Sequence, residues 1–354
     1  MPDPARVALL LDVDTGIDDS LAILYACASP EVELVAVTCV AGNVEARQVA
    51  ENTRALLELV GRDDVEVALG REVPLARPLR TTPETHGPKG IGYAVLPPPR
   101  RPLSPRHASD LLVGEARRRP GELTLVTLGP LTNLAVAVMR EPELPVLLRH
   151  WVLMGGSYRS PGNTAPTTEW NVASDPEAAS VCLAAFSAPE VVVARSAAGH
   201  PPLPLALGLD VTERAKLTPD HLAALARRAG VSLEGAGGDS TAGREAPRAV
   251  VRFVADALRF YMEFHGRYDG FYGAFVHDPL AVAAALDPAL VRTEPVSVQV
   301  ELGGVLTTGE TVTDWRRSWG LPPTLEVAIE ADVATFFDRL VERIGGLAAS
   351  LPDG

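Results

Sequence analysis

Four aspartates, Asp12, Asp14, Asp18 and Asp19, fall within eight residues at the end of the apolar run VALLLDV (7–13) and just after it. On an extended strand the side-chain period is two, so Asp12 and Asp14 are expected to point the same way. Like charges at short range raise one another's pKa unless something compensates. A hard divalent cation would compensate, and Ca²⁺ suits the residue types, because it accepts carboxylates and backbone carbonyls together in a shell of roughly six to eight oxygens. Taken singly, Asp18 and Asp19 also read as first-turn helix acids favoured by the macrodipole. That reading does not account for the whole cluster after a buried strand. Further polar groups recur where apolar runs end: Gly42-Asn43, Gly129-Pro130-Leu131-Thr132-Asn133, a loop with Asn163, Glu169 and Asn171, and His277-Asp278-Pro279.

The elements that must position these groups alternate. Apolar runs at 7–13, 32–42, 65–70, 123–129, 150–156 and 191–195 read as six strands. Helical patterns separate them, at 18–28, 44–60, from about 130, and at 175–186. Continuous apolar strands alternating with helices predict an α/β fold with a mainly parallel central sheet covered on both faces. Ligands of such sheets bind beyond the carboxyl ends of the strands, where the polar groups gather. Residues 71–105, rich in Pro and containing HGPKGIGY (86–93), read as a long loop and a candidate lid. Residues 230–246 lack apolar periodicity and read as a surface insertion. A helix over 249–267, strands at 296–301 and 324–330 and a last helix close the chain, which is read as one domain over 1–354.

Composition narrows the function classes. With 47% hydrophobic residues the chain can bury a sizeable core, and a net charge of −13 argues against nucleic-acid binding. Cys27, Cys39 and Cys182 share no metal-like spacing and read as buried thiols of a reducing compartment. The chain shows no signal-peptide pattern and no apolar stretch of about 20 residues, so a cytoplasmic protein without a membrane span is expected.

DVDTGIDDSLA (12–22) resembles the aspartate-rich fingerprint of the inosine-uridine preferring nucleoside hydrolases. VTCVAGN (37–43), LGPLTNLAVA (128–137), VLMGG…GN…TEWN (152–171), DPEAA (175–179) and VHDPLAVAAALDP (276–288) resemble further segments of that family in its order. The resemblance spans Leu9 to Pro288. It implies a Rossmann-like α/β fold and Ca²⁺-dependent hydrolysis of the N-glycosidic bond of ribonucleosides. It implies Asp14 as metal ligand and general base, Asp19 as bidentate ligand, and the Thr132 backbone carbonyl and Asp278 as remaining protein ligands. Asp18, Asn163, Glu169 and Asn171 would hold ribose hydroxyls, Asn43 would lie near the ribose and the water, Met154 would line the sugar pocket, and Asp12 would stand behind the ligands. A homodimer or homotetramer is implied as well.

The chemistry of the residue types agrees. Breaking a C1′–N bond builds oxocarbenium character on the ribose, and the site must activate water and protonate the departing base. A metal with an adjacent carboxylate can activate water, and several directed hydrogen bonds fix the sugar. Such a grip selects ribosides over 2′-deoxyribosides, which would leave buried partners unpaired.

Some departures stand out. Against that family's pattern Thr15 replaces a frequent Pro, Trp170 replaces a smaller aromatic, and the 230–246 insertion precedes the region that the resemblance implies to contact the base, so purine or pyrimidine preference stays open. His277 reads either as proton donor to the base or as a packing histidine. His86, with Lys89 three residues on, reads either as a residue closing over the base or as an exposed loop residue. Tyr261, Tyr268, Phe271 and Tyr272 read mostly as packing, with Tyr268 and Tyr272 the better stacking candidates. His265 is expected at the surface and Asn133 at a helix start. Asp12-Val13-Asp14-Thr15 also fits a haloacid-dehalogenase-like phosphatase using Mg²⁺, but Thr132, Glu169 and Asn171 would then have no role. A non-catalytic nucleoside binder is disfavoured by the intact Asp14, Asp19 and Asp278. A modified nucleoside or another N-riboside remains open as substrate.

Overall fold

The run Val7–Val13 forms the first strand, β1, in a computed structural model that describes residues 6–233 and 248–352. Most of the 230–246 segment therefore lies outside the described residues. Strand β1 is buried on both sides, and its side chains alternate as the pleat dictates. Leu9, Leu11 and Val13 enter one apolar core, while Ala8 and Leu10 enter another. The strands that follow are β2 (Val32–Cys39), β3 (Glu66–Leu69), β4 (Leu123–Thr127), β5 (His150–Met154) and β6 (Leu205–Leu207). Short pairs follow as β7 (Lys216–Leu217) with β8 (Ala274–Phe275), and β10 (Val298–Val300) with β11 (Thr311–Thr313). Strands β9 (Val291–Val296) and β12 (Leu325–Ala331) complete the main sheet.

The eight strands of that sheet run in the order β3-β2-β1-β4-β5-β6-β12-β9. All neighbours pair in parallel except β12 with β9. The chain winds outward from β1 to β3, then returns to place β4 on the other side of β1. This reversal opens a crevice at the carboxyl ends of β1 and β4, where α/β sheets hold ligands. Helices Ile17–Ala28, Ala249–Tyr268, His277–Leu286 and Val333–Ser350 pack into one core. Helices Ala108–Arg118, Thr132–Arg140 and Pro176–Phe186 pack into the other.

The stretch 191–195 is not the sixth strand. It lies inside a helix, Pro189–Ala197, with Pro in its first turn. Val191 and Arg195, one helical turn apart, are its buried residues, whereas Val193 is 67% exposed. The Arg195 guanidinium donates to the carbonyls of Pro145, Leu148, Arg149 and Pro201. A short apolar run does not by itself separate helix from strand. Among the described residues no single helix is long and apolar enough to cross a membrane; the bent pair 176–186 and 189–197 passes only when joined across a 54° bend.

Candidate active site

Past the end of β1 the chain turns at Thr15-Gly16 and enters the helix Ile17–Ala28, so Asp18 and Asp19 occupy its first turn. Asp19 Oδ2 accepts from Gly16 N at 2.8 Å and Oδ1 from Asp14 N at 3.2 Å, which closes the turn on itself. Asp14 Oδ2 accepts from Asn43 N at 2.8 Å, while its Oδ1 is buried without a partner among the described residues. Asn43 sits just after β2, and its Nδ2 reaches Asp19 Oδ2 at 3.4 Å. Asp278, in the first turn of His277–Leu286, brings a carboxylate oxygen within 4.8 Å of those of Asp18 and Asp19. Asp12 stays within the strand: its Oδ1 accepts from Thr38 Oγ1 at 2.6 Å and Asn133 Nδ2 at 2.8 Å, and its Oδ2 is buried with no partner among the described residues.

Burial, then the mutual repulsion of the carboxylates, holds Asp14, Asp18 and Asp278 well above the usual carboxylate range. Burial pushes Asp19 to about 6 and Asp12 to about 7, against hydrogen bonds that lower both. Among the described residues Arg80 is the sole Lys or Arg on the wall of the cavity that holds Asp18 and Asp278, and it lies 5.9 Å from the Trp170 ring. Among the described residues this is a concentrated set of buried carboxylates, with Asp12 Oδ2 and Asp14 Oδ1 unpartnered and no cationic side chain paired with them, and it fits a hard divalent cation.

Glycine at 42 is what allows Asp14 its position. A Cβ there would meet Asp14 Oδ2 at 2.1 Å and Pro130 Cδ at 2.8 Å. Gly42→Ala should displace the carboxylate and lower kcat/KM by roughly a hundredfold, in line with what a small misplacement costs a reacting group. Steady-state kinetics check this, and a variant within about twofold of the parent would refute it.

The cavity encloses about 630 Å³. On one side stand Met154, Asn163, Glu169 and Asn171. Glu169 caps the helix Trp170–Ser174, accepting from Asn171 N, Val172 N and Gly156 N at 2.8, 3.1 and 2.9 Å. Asn171 Nδ2 donates to the Leu128 carbonyl at 2.7 Å and the Met154 carbonyl at 3.3 Å, which leaves its Oδ1 for a ligand. Asn163 Oδ1 accepts from Trp170 N at 3.0 Å at the exposed rim.

Thr132 does not reach this cavity. It is the first residue of Thr132–Arg140, so its carbonyl joins the ladder of that helix, and its hydroxyl donates to Asp175 Oδ2 at 2.6 Å. The wall instead carries Leu128, and the next residue, Gly129, lies against the Asp14 carboxylate. Asn133 is within the first turn of that helix; it bridges Asp12, the Cys39 carbonyl and Arg71 N.

The other wall is histidine-rich. His86 ends a one-turn helix, Pro83–His86, and is buried rather than exposed; its Nδ1 accepts from Ile17 N at 3.1 Å. His277 Nδ1 lies 2.8 Å from Thr212 Oγ1. Burial pushes both rings down to about 3. His265, expected at the surface, is 5% exposed and lines the cavity, packed between the rings of Tyr261 and Phe275 at 4.6 and 4.8 Å. Its partner Asp269, with Glu213, Phe264 and Phe275, also lines this wall without having been singled out by sequence. The signal was present in His265, Asp269 and Tyr261 at four-residue helical spacing. Tyr261 is buried on the wall, Tyr268 stands 62% exposed at the mouth, and Phe271 and Tyr272 are not on it.

The chain that builds this site matches a known family: the model of the inosine-uridine preferring nucleoside hydrolases covers residues 9–338. The chain belongs to that nucleoside hydrolase family. It is 36% identical over 342 residues to the inosine-uridine preferring nucleoside hydrolase of Leishmania major, covering 95% of this chain and 98% of that one. It is 33% identical over 338 residues to the pyrimidine-specific ribonucleoside hydrolase RihA of Photobacterium profundum, covering 95% and 98%. The solved structure of a purine-preferring ribonucleoside hydrolase from Gardnerella vaginalis superposes with a TM-score of 0.84 at 32% identity, covering 97% of this chain and all of that one. As a nucleoside hydrolase, the enzyme adds water across the N-glycosidic bond of a ribonucleoside.

Proposed function

We propose that this nucleoside hydrolase acts on free ribonucleosides with Ca²⁺ as its metal, the whole chain serving as one catalytic unit. One observation carries the reading: Asp14 Oδ1, buried with no partner among the described residues, stands with a carboxylate triad of which Asp18 and Asp278 line a cavity whose side wall offers amide and carboxylate oxygens. Asp14, Asp19 and Asp278 would hold the cation, with the carbonyl of Leu128, a residue of the cavity wall, as a candidate backbone ligand. A cation held there would supply Lewis acidity that makes a neighbouring water easier to deprotonate. Asp14 is placed to take a proton from water, with Asn43 N fixing its other oxygen. Asp18, Glu169, Asn171 and Asn163 accept hydrogen bonds from the ribose hydroxyls, and Met154 packs against the sugar. The buried negative charge of the carboxylates stabilises the oxocarbenium character that grows as the C1′–N bond breaks. His277 and His86 face the departing base, and the segment that carries His86 covers it.

The related enzymes are named for purine, pyrimidine or mixed preference, so they leave the base open. Cytoplasmic location and a homodimer or homotetramer belong to the proposal; three free thiols support the former, and sedimentation velocity tests the latter. The deciding experiment is reducing-sugar release from inosine, guanosine, adenosine, uridine and cytidine, with Ca²⁺ and after chelation. Metal-dependent release from any of them is expected. No release from all five by folded, Ca²⁺-binding protein would overturn the substrate assignment in favour of another N-riboside. Asp278→Ala should weaken Ca²⁺ binding at least tenfold by calorimetry; an unchanged affinity would remove Asp278 from the ligand set.

A further inference from the structure

The motif DPEAA (175–179) has no part in the reaction above, yet its first residue is fully buried. Asp175 ends the helix Trp170–Ser174, whose Asn171 lines the cavity. It also caps the next helix, Pro176–Phe186, its Oδ1 accepting from Ala178 N at 3.1 Å. Its Oδ2 accepts from Thr132 Oγ1 at 2.6 Å and from Leu75 N at 2.8 Å. Two residues beyond Leu75, Arg77 forms a forked ion pair with Glu177: Nη2 donates to Oε1 at 2.7 Å and Nε to Oε2 at 3.0 Å. The same Nη2 donates to the Leu302 carbonyl at 3.0 Å, at the foot of the hairpin between β10 and β11. That hairpin returns to the sugar wall, where a Cβ on Gly309 would meet Ala173 Cα at 2.9 Å. Leu75 and Arg77 belong to the segment 73–81, whose last residues, Arg80 and Thr81, reach the cavity wall. Pro74 and Pro78 have no N–H to give. Among the described residues, 73–81 make no backbone-to-backbone hydrogen bond. A stretch of this kind opens at low cost unless side chains hold it, and the side chains that hold it are Asp175 and Glu177.

Resting on the nucleoside reading above, we propose that Asp175 and the Arg77–Glu177 pair are positioning residues: they hang the segment that leads to His86 on the junction that ends the sugar-gripping helix. Cover and sugar wall then stand as one body. None of the three lines the cavity, so none touches substrate. They act by setting the fraction of molecules in which residues 80–86 lie over a bound riboside. A ligand's apparent affinity falls in proportion to the fraction of protein competent to bind it. Loosening the pair therefore weakens binding and spares the chemical step.

Substitution of the buried Asp175 would test folding as much as positioning, so the half-buried pair is the place to cut. With Ca²⁺ and the nucleoside that the parent cleaves best, Arg77→Gln and Glu177→Gln should each raise KM roughly three- to tenfold and leave kcat within about twofold. The double variant should match the single ones, because either change alone already breaks the pair. Trypsin supplies a readout that needs no turnover. Arg77 is followed by Pro78, which leaves Arg80–Thr81 as the susceptible bond of the segment. Its cleavage, followed by mass spectrometry, should quicken in each variant by the same roughly three- to tenfold as the open population grows. Unchanged KM and unchanged cleavage would overturn the proposal. Equal falls in kcat and kcat/KM would overturn it too, by placing the pair in the chemical step. Additive effects in the double variant would do so by separating Arg77 from Glu177. A parent that releases sugar from no nucleoside would instead overturn the reading on which this one rests, and the trypsin comparison would still decide whether the pair holds the segment.

Discussion

Asp14→Asn should lower kcat on the best nucleoside by roughly a thousandfold while leaving the fold intact. General-base catalysis by a positioned carboxylate contributes about a hundred- to ten-thousandfold. An amide oxygen at this position still accepts from Asn43 N, so the turn after β1 keeps its anchor. What the variant lacks is the basic oxygen now left buried without a partner among the described residues. The same substitution removes one charge from a group of acids that repel one another, and the metal-free variant should therefore melt at or above the parent. Steady-state kinetics and thermal melts in chelator check both halves. A variant with near-native turnover would remove Asp14 from the role of base, and a metal-free midpoint well below the parent would show that Asp14 is structural.

The metal-free enzyme should lose heat stability as pH rises from 6.5 toward 8.5, and Ca²⁺ should abolish that loss. An acid whose folded pKa lies above its unfolded value binds more protons when folded, so its contribution is complete below the unfolded value and disappears as pH rises through the folded one. Asp12, at about 7, and Asp14, Asp18 and Asp278, held higher than usual, all act in this sense. His86 and His277 act oppositely: held down at about 3, they are buried neutral and destabilise the fold as pH falls below their ordinary 6.5. Above 6.5 the acids act alone. A tenfold difference in proton affinity between the folded and unfolded chain corresponds to about 1.4 kcal/mol, so a fall of several degrees in midpoint is expected between pH 6.5 and 8.5. Bound cation pairs with the ionised acids and reverses the sign of their effect. A metal-free midpoint that rises across this window would contradict the repulsive cluster. Chelation should also abolish turnover, and Ca²⁺ alone should restore it.

Much of this was legible in the residues. The alternation of apolar runs and helical patterns is enough for the parallel sheet, because strands buried on both faces have no polar alternation to hide. The acids are legible because four of them in eight residues demand an explanation. Thr132 was misplaced because a backbone carbonyl has no side-chain signature: the segment Leu128–Asn133 marks the place but not which peptide turns inward. Residues 191–195 read as strand because three consecutive valines favour it, while the deciding feature, a buried arginine reaching four carbonyls, is tertiary. His265 was missed because a histidine followed by Gly-Arg-Tyr looks solvated, and only the packing of Phe271 and Phe275 from beyond the helix end encloses it.

Among its ties to the body of the protein, the turn that ends in His86 has two to the residues around the carboxylates, from Thr82 N to the Asn43 carbonyl and from Ile17 N to His86 Nδ1. Both moorings belong to residues that also organise the carboxylates: Asn43 holds Asp14 and touches Asp19, and Ile17 begins the turn that carries Asp18 and Asp19. Movement of this segment away from the cavity must loosen those two holds together. Closure and cation retention are then one linked equilibrium, and linkage is reciprocal. Whatever factor by which a bound ribose analogue raises Ca²⁺ affinity, Ca²⁺ raises the affinity for that analogue by the same factor, and titrations run in the two orders must close to one coupling constant.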